Sequence, residues 1–260
     1  MNKLITGIVL TLSPLFFLIE ETNKINREYY QLTVYHFSDI LQEKTIDQYL
    51  QNAYLPALHK KGISSIGVFK PIANDTAASK IIYVLVPFGS FEKARDLPVQ
   101  LLKDKEYLDA GKEYLDATSK NPGYQRMENI LMYAFELAPA MQLPKLSSSR
   151  NERVYELRNY ESVTEKLNIS KVKMFNEGGE IALFKRLNFN AIFYAEVIAG
   201  SHMPNLMYMT SFENMEQRES HWKAFFESDE WKKLKEMPEY QNNVSKAEVI
   251  LTKAASYSDY

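Results

Sequence analysis

Apolar positions along this chain fall into short alternating runs, separated by longer stretches in which they return every third or fourth residue. Alternation over residues 29–37 predicts a strand. Leu41, Ile46, Tyr49, Leu50, Tyr54, Leu55 and Leu58 keep helical spacing, which predicts one helix over 40–61, stopped by Gly62. Residues 63–72 and 80–86 read as strands around the polar turn Asn74-Asp75. Residues 90–102 and 105–115 read as helical pieces, and 125–136 as a closing strand. After Pro139, Pro144 and Ser147-Ser148-Ser149 the same order returns. It runs as a strand over 153–160, helical pieces over 164–175 and 181–187 split by Gly178-Gly179, strands over 191–199 and 206–212, helices over 215–226 and 230–237, and a strand over 244–251. Ser228 is the expected cap of the last helix, with Asp229 and Glu230 in its first turn.

Residue identities repeat as well as elements. Tyr30-Gln31-Leu32 followed by Tyr35 returns as Tyr155-Glu156-Leu157 followed by Tyr160, a spacing of 155 − 30 = 125. At the same spacing Ile81-Ile82-Tyr83-Val84 answers Leu206-Met207-Tyr208-Met209, and Lys105-Glu106-Tyr107 answers Asp229-Glu230-Trp231 one residue short of it. A common register across separated segments predicts two copies of one unit: 28–138, a linker over 139–151, and 152–260. The order β-α-β-β-α-β is the ferredoxin-like split, whose sheet carries helices on one face only. The bare face needs a cover. The expected fold class is therefore α+β, two tandem ferredoxin-like domains packed sheet to sheet into a closed or nearly closed barrel.

The N-terminus changes the picture of location. Lys3 precedes a largely apolar run over 4–19, and Glu20-Glu21 closes it. Residues 1–24 read as a secretory signal, but Phe16-Phe17-Leu18-Ile19 offers no small-residue cleavage site, so an uncleaved anchor is the alternative. The expected location is periplasmic or extracellular, with membrane contact only through that N-terminus; no later apolar run is long enough to span a bilayer. Cysteine is absent, which excludes disulfides, thiolate catalysis, iron–sulfur clusters and a lipoprotein anchor. A net charge of −2 argues against a nucleic-acid partner.

Several stretches resemble the NIPSNAP family. Tyr54-Leu55-Pro56-Ala57-Leu58-His59-Lys60-Lys61-Gly62-Ile63 with Gly67-Val68-Phe69 is similar to the first half of its tandem members. Arg153-Val154-Tyr155-Glu156-Leu157-Arg158-Asn159-Tyr160 resembles the family's opening strand. Met203-Pro204-Asn205 through Phe212, with Arg218 and Asp229-Glu230-Trp231, resembles its downstream strand-and-helix signature. The resemblance implies a dimeric α/β-barrel fold and little about reaction. Family members linked to mitochondria and vesicle traffic differ from the tandem, exported bacterial type that this chain resembles, so those roles are not carried over.

The candidate chemistry is sparse. None of His36, His59, His202 and His221 pairs at metal-ligand spacing, so no metal and no cofactor is expected. His59 suits a helix C-terminus and His221 a structural position on an amphipathic helix; His202, in a loop, ranks first of the four for function. On the opening strand of the second unit Glu156, Arg158 and Tyr160 share a face, with Gln31, Thr33 and Tyr35 at the equivalent positions. If that face looks into the barrel, it makes a polar lining; the structural alternative is a Glu–Arg network that fixes register. Asn205 and Arg218 match the family signature, and Arg218 is expected to pair outside its own helix, with Glu177 or Glu180. Trp222 and Trp231 read as core anchors. The candidate ligand-binding set is His202, Asn205, Tyr208, Arg218, Arg158, Tyr35 and Tyr160, with no catalytic residue assigned. No Ser-His-Asp order, phosphate loop or dinucleotide glycine pattern is present. Two readings follow. The first is a non-catalytic binding or interaction module of the cell envelope for a small apolar or aromatic ligand, compatible with a homo-oligomer. The second is a cofactor-independent monooxygenase-like or haem-related enzyme using the barrel cleft.

Overall fold

The computed structural model describes residues 26–260; the expected signal or anchor segment lies outside them. In chain order the first half holds β1 (Tyr29–Phe37), α1 (Ile40–Tyr49), α2 (Leu55–Lys60), β2 (Gly67–Pro71), β3 (Lys80–Phe88), α3 (Phe91–Leu101), α4 (Lys105–Ala110), α5 (Lys112–Leu115) and β4 (Arg126–Ala134). The second half holds β5 (Val154–Glu161), α6 (Glu165–Asn176), α7 (Glu180–Arg186), β6 (Asn190–Ala199), β7 (Asn205–Phe212), α8 (Met215–Glu227), α9 (Asp229–Glu236) and β8 (Lys246–Ala254). The expected 40–61 helix is continuous but changes register. Leu50–Tyr54 forms a π-turn ahead of Pro56, which has no N–H to donate. Gly62 follows with φ +75°, a conformation glycine adopts without a Cβ penalty.

The fold is mixed α/β around an eight-stranded antiparallel barrel ordered β1-β3-β2-β8-β5-β7-β6-β4. Each half supplies four neighbouring strands, β4-β1-β3-β2 and β8-β5-β7-β6, and the halves meet edge to edge at two seams, β2–β8 and β4–β6. Closure pairs the sheet edges that two open sheets would leave bare. Alternation then sorts each strand. Tyr30, Leu32 and Val34 of β1 and Tyr155 and Leu157 of β5 point inward, where they meet Phe69, Tyr83, Phe193, Met207 and Met209. Tyr260 reaches the same interior from the C-terminal segment and is 2% exposed. The barrel interior is a packed apolar core. The outer face of each half lies under that half's own helices.

One register differs from the sequence expectation. Ile82 faces Tyr35 across β1–β3 and Leu206 faces Tyr160 across β5–β7, a spacing of 206 − 82 = 124. Tyr83 and Tyr208, aligned at 125 in the sequence, therefore sit on opposite faces: Tyr83 in the barrel and Tyr208 under the helices. A one-residue slip exchanges the two faces of a strand.

Candidate functional site

The face of β5 that carries Glu156, Arg158 and Tyr160 looks outward, under α6–α9, and not into the barrel. The expectation of a polar barrel lining is corrected accordingly: the inward set is Tyr155, Leu157 and Asn159. Glu156 is fully buried and collects three donors. Arg158 donates Nε to Oε1 at 2.5 Å, while Arg218 Nε and Trp222 Nε1 donate to Oε2 at 2.6 and 2.9 Å. This is the arrangement a buried carboxylate needs, with paired charge and filled lone pairs. Arg218 thus pairs outside its helix, as expected, but with Glu156 rather than Glu177 or Glu180.

Around this carboxylate the side chains are ordered in layers. The Arg158 guanidinium lies 3.7 Å from the Trp222 ring centroid, a cation–π contact, and its Nη1 donates to the Tyr160 hydroxyl at 2.9 Å. The Tyr160 and Tyr208 hydroxyls are 2.8 Å apart. Burial pushes the Tyr208 phenol well above its ordinary pKa, so it stays protonated. Burial opposes the Arg158 charge, but Tyr208, Tyr160 and Glu156 outweigh it and hold the guanidinium above its ordinary value. A second buried pair stands beside this one. Lys171 Nζ lies 2.7 Å from Glu180 Oε2, with both side chains under 5% exposed. The Lys171 ammonium also lies over the rings of Phe175 and Trp231.

Local sequence brings Glu180 there. Gly178 has no room for a side chain: a Cβ would lie 2.6 Å from the Met174 carbonyl oxygen and 2.9 Å from Leu234. Gly179 takes φ +88° and starts α7 with Glu180 in its first turn. The helical spacing Asn168, Lys171, Met174, Phe175 puts Lys171 on the buried face of α6.

Between the β5–β8 side of the sheet and α6, α8 and α9 lies an open cavity of about 520 Å³. Arg158, Tyr160, Lys171 and Glu180 form its polar wall, and Trp222, Phe225, Phe226 and Trp231 its aromatic wall. Both tryptophans of the chain line it. This volume lies in the range of small-molecule sites.

The seven candidate residues do not converge. Arg158 and Tyr160 line the cavity, and Tyr208 and Arg218 support them from behind. Asn205 is buried elsewhere and donates to Asn159 at 2.7 Å. His202 is half exposed in its loop, 3.2 Å from Glu161. Tyr35 belongs to the other half, where it packs against Tyr114 and Tyr124. The position in the first half that matches the cavity wall is thus filled by tyrosines, and Gln31 and Thr33 stand there hydrogen-bonded to Asn129 in place of Glu156 and Arg158. Lys171 escaped the sequence reading; its signal was a lysine at an inward position of an amphipathic helix. Among the described residues no cluster of three or more His, Asp or Glu could hold a metal.

Comparison with known proteins fits this architecture. Residues 155–259 match the family model NIPSNAP. No curated protein matches the chain. Among solved structures, a candidate monooxygenase from Lactobacillus acidophilus NCFM superposes with TM-score 0.56 at 11% identity, covering 88% of this chain and 94% of that one. A candidate monooxygenase from Fusobacterium nucleatum gives 0.54 at 5% identity, covering 88% and 92%. A NIPSNAP-like domain protein from Burkholderia xenovorans gives 0.37 at 16% identity, covering 42% and 90%. The first two likenesses establish a shared fold over most of the chain, and the family match names its second half: residues 155–259 are a NIPSNAP domain.

Proposed function

We propose that this chain is a small-molecule-binding protein of the cell envelope, built from two tandem ferredoxin-like units of a dimeric α/β barrel, with its ligand held in the cavity of the NIPSNAP half. The observation that carries the reading is the asymmetry between the halves. Where the first half packs Tyr35, Tyr49, Tyr114 and Tyr124 together, the second keeps an aromatic-walled cavity over two buried ion pairs. Buried charge beside empty volume costs stability that a purely structural layer would avoid. The strand order β4-β1-β3-β2 in one half and β8-β5-β7-β6 in the other supports the tandem reading. Envelope location rests on the apolar run 4–19.

Binding is favoured over turnover because Glu180, the one acid of the wall among the described residues, is committed to Lys171. No histidine lines the cavity, so a haem held by an axial histidine does not fit there. A cofactor-independent oxygenation at the same wall is the competing reading, and it predicts oxygen uptake when the ligand is added. The test is a screen of small apolar and aromatic compounds by melting temperature, since a ligand of the folded state raises it by mass action. Hits are expected to change tryptophan emission and to lose their effect in Trp231→Ala. Stabilisation that survives Trp231→Ala with emission unchanged contradicts the site.

A further inference from the structure

The cavity wall also specifies the charge of what it would hold. The Arg158 guanidinium spends Nε on Glu156 and Nη1 on Tyr160, and its plane is fixed by the Trp222 ring. Its Nη2 has no partner among the described residues, although the side chain is 11% exposed and faces the cavity. Lys171 lines the same wall, and Lys235 stands exposed at the rim. Among the described residues these three cations face a single lining acid, Glu180, which Lys171 already engages. Glu156 is not part of the lining: it sits behind Arg158 and is shared with Arg218. The other polar residues of the lining, Tyr160, Tyr240, Gln241, Asn242 and Asn243, are uncharged.

We propose that the ligand carries a carboxylate seated on Arg158 Nη2, with a flat apolar body laid against Trp231 and Phe226. This deepens the binding reading above and rests on it. A guanidinium nitrogen left without a partner offers a charge-assisted donor to one more oxygen. An ammonium ligand would meet Arg158 and Lys171 as like charges, and a neutral amide would gain no charge assistance. A phosphate group brings more charge and more acceptor oxygens than the one free guanidinium nitrogen can serve. The body of the ligand is set by the aromatic wall, where planar groups stack.

The probes are phenylbutanoate, phenylbutanamide and phenylbutylamine, three compounds with one body and different heads. Tryptophan emission of the intact protein reads their binding, because both tryptophans line the cavity. The carboxylate is expected to bind at least about tenfold tighter than the amide, with the amine weakest. Arg158→Lys keeps a cation beside Glu156 but loses the planar second nitrogen. It should abolish the preference for the carboxylate, read as the ratio of carboxylate to amide affinity within the variant itself. An amide or amine that binds as tightly as the carboxylate overturns the proposal and leaves the cavity reading standing. So does a carboxylate preference that Arg158→Lys does not alter. No response from any of the three at millimolar concentration overturns the cavity reading and this proposal with it.

Discussion

Lys171 and Glu180 show how single side chains carry this half of the molecule. Each is under 5% exposed, and each is the other's counter-charge at 2.7 Å. Lys171→Met strands a buried carboxylate and is expected to cost about 3–5 kcal/mol. Pairing it with Glu180→Leu should recover most of that loss, as urea unfolding of the single and double variants will show. His221 gives a pH signature. Its ring packs between Phe189 and Phe212, its Nδ1 is buried without a partner among the described residues, and burial lowers its pKa. A histidine with a lowered folded pKa binds its proton more weakly when folded. Its contribution is present above the unfolded value, about 6.5, and is lost as pH falls through the folded one. Melting temperature is therefore expected to start dropping below about pH 6.5, and His221→Gln should remove that part of the profile. Arg158 and Tyr160 were legible from strand alternation. Their destination was not, because six of the eight residues of β5 are buried and polarity alone does not separate the barrel side from the helix side. The partner of Arg218 was hidden for a related reason: Glu156 is 62 residues away, and only the fold brings them together.

Elements were easier to read than their registers. The order of strands and helices follows from apolar spacing and from caps such as Ser228, whose hydroxyl accepts from the Trp231 amide. The repeat placed Tyr30 with Tyr155 and Tyr35 with Tyr160 on matching faces, but at β3 and β7 it was one residue off. Identical tyrosines suggested a 125-residue spacing that the strand pairing sets at 124. Local identity is weak evidence about register, whereas burial of a whole face is strong. The junction between α6 and α7 depends on Gly178 and Gly179. Gly178→Ala drives a methyl group against the Met174 carbonyl and Leu234 and is expected to cost about 1–3 kcal/mol. Because α7 carries Glu180, the same substitution should loosen the cavity wall and weaken any ligand found there. Thermal melts with and without that ligand will separate the two effects.

At the scale of the whole molecule the halves divide the work. Together they close one barrel around a shared apolar core. Outside it the first half packs tyrosines between sheet and helices, where the second keeps an aromatic-walled cavity. That division was not visible in the repeat, since the substitutions that make it, Gln31 against Glu156 and Thr33 against Arg158, look like ordinary surface exchanges until Glu156 and Arg158 are seen buried under helices. The most direct test of the account fills the cavity from its rim. Ala247 on β8 is exposed, lines the cavity and pairs across the sheet with Tyr160, so Ala247→Trp adds an indole to the space without removing any buried group. Melting temperature is measured for both proteins with and without phenylbutanoate. The account predicts equal stability of the two proteins alone, a ligand-induced rise in the wild type, and no rise in Ala247→Trp. A rise of the same size in both would show that the ligand binds elsewhere and would contradict the cavity as the functional site.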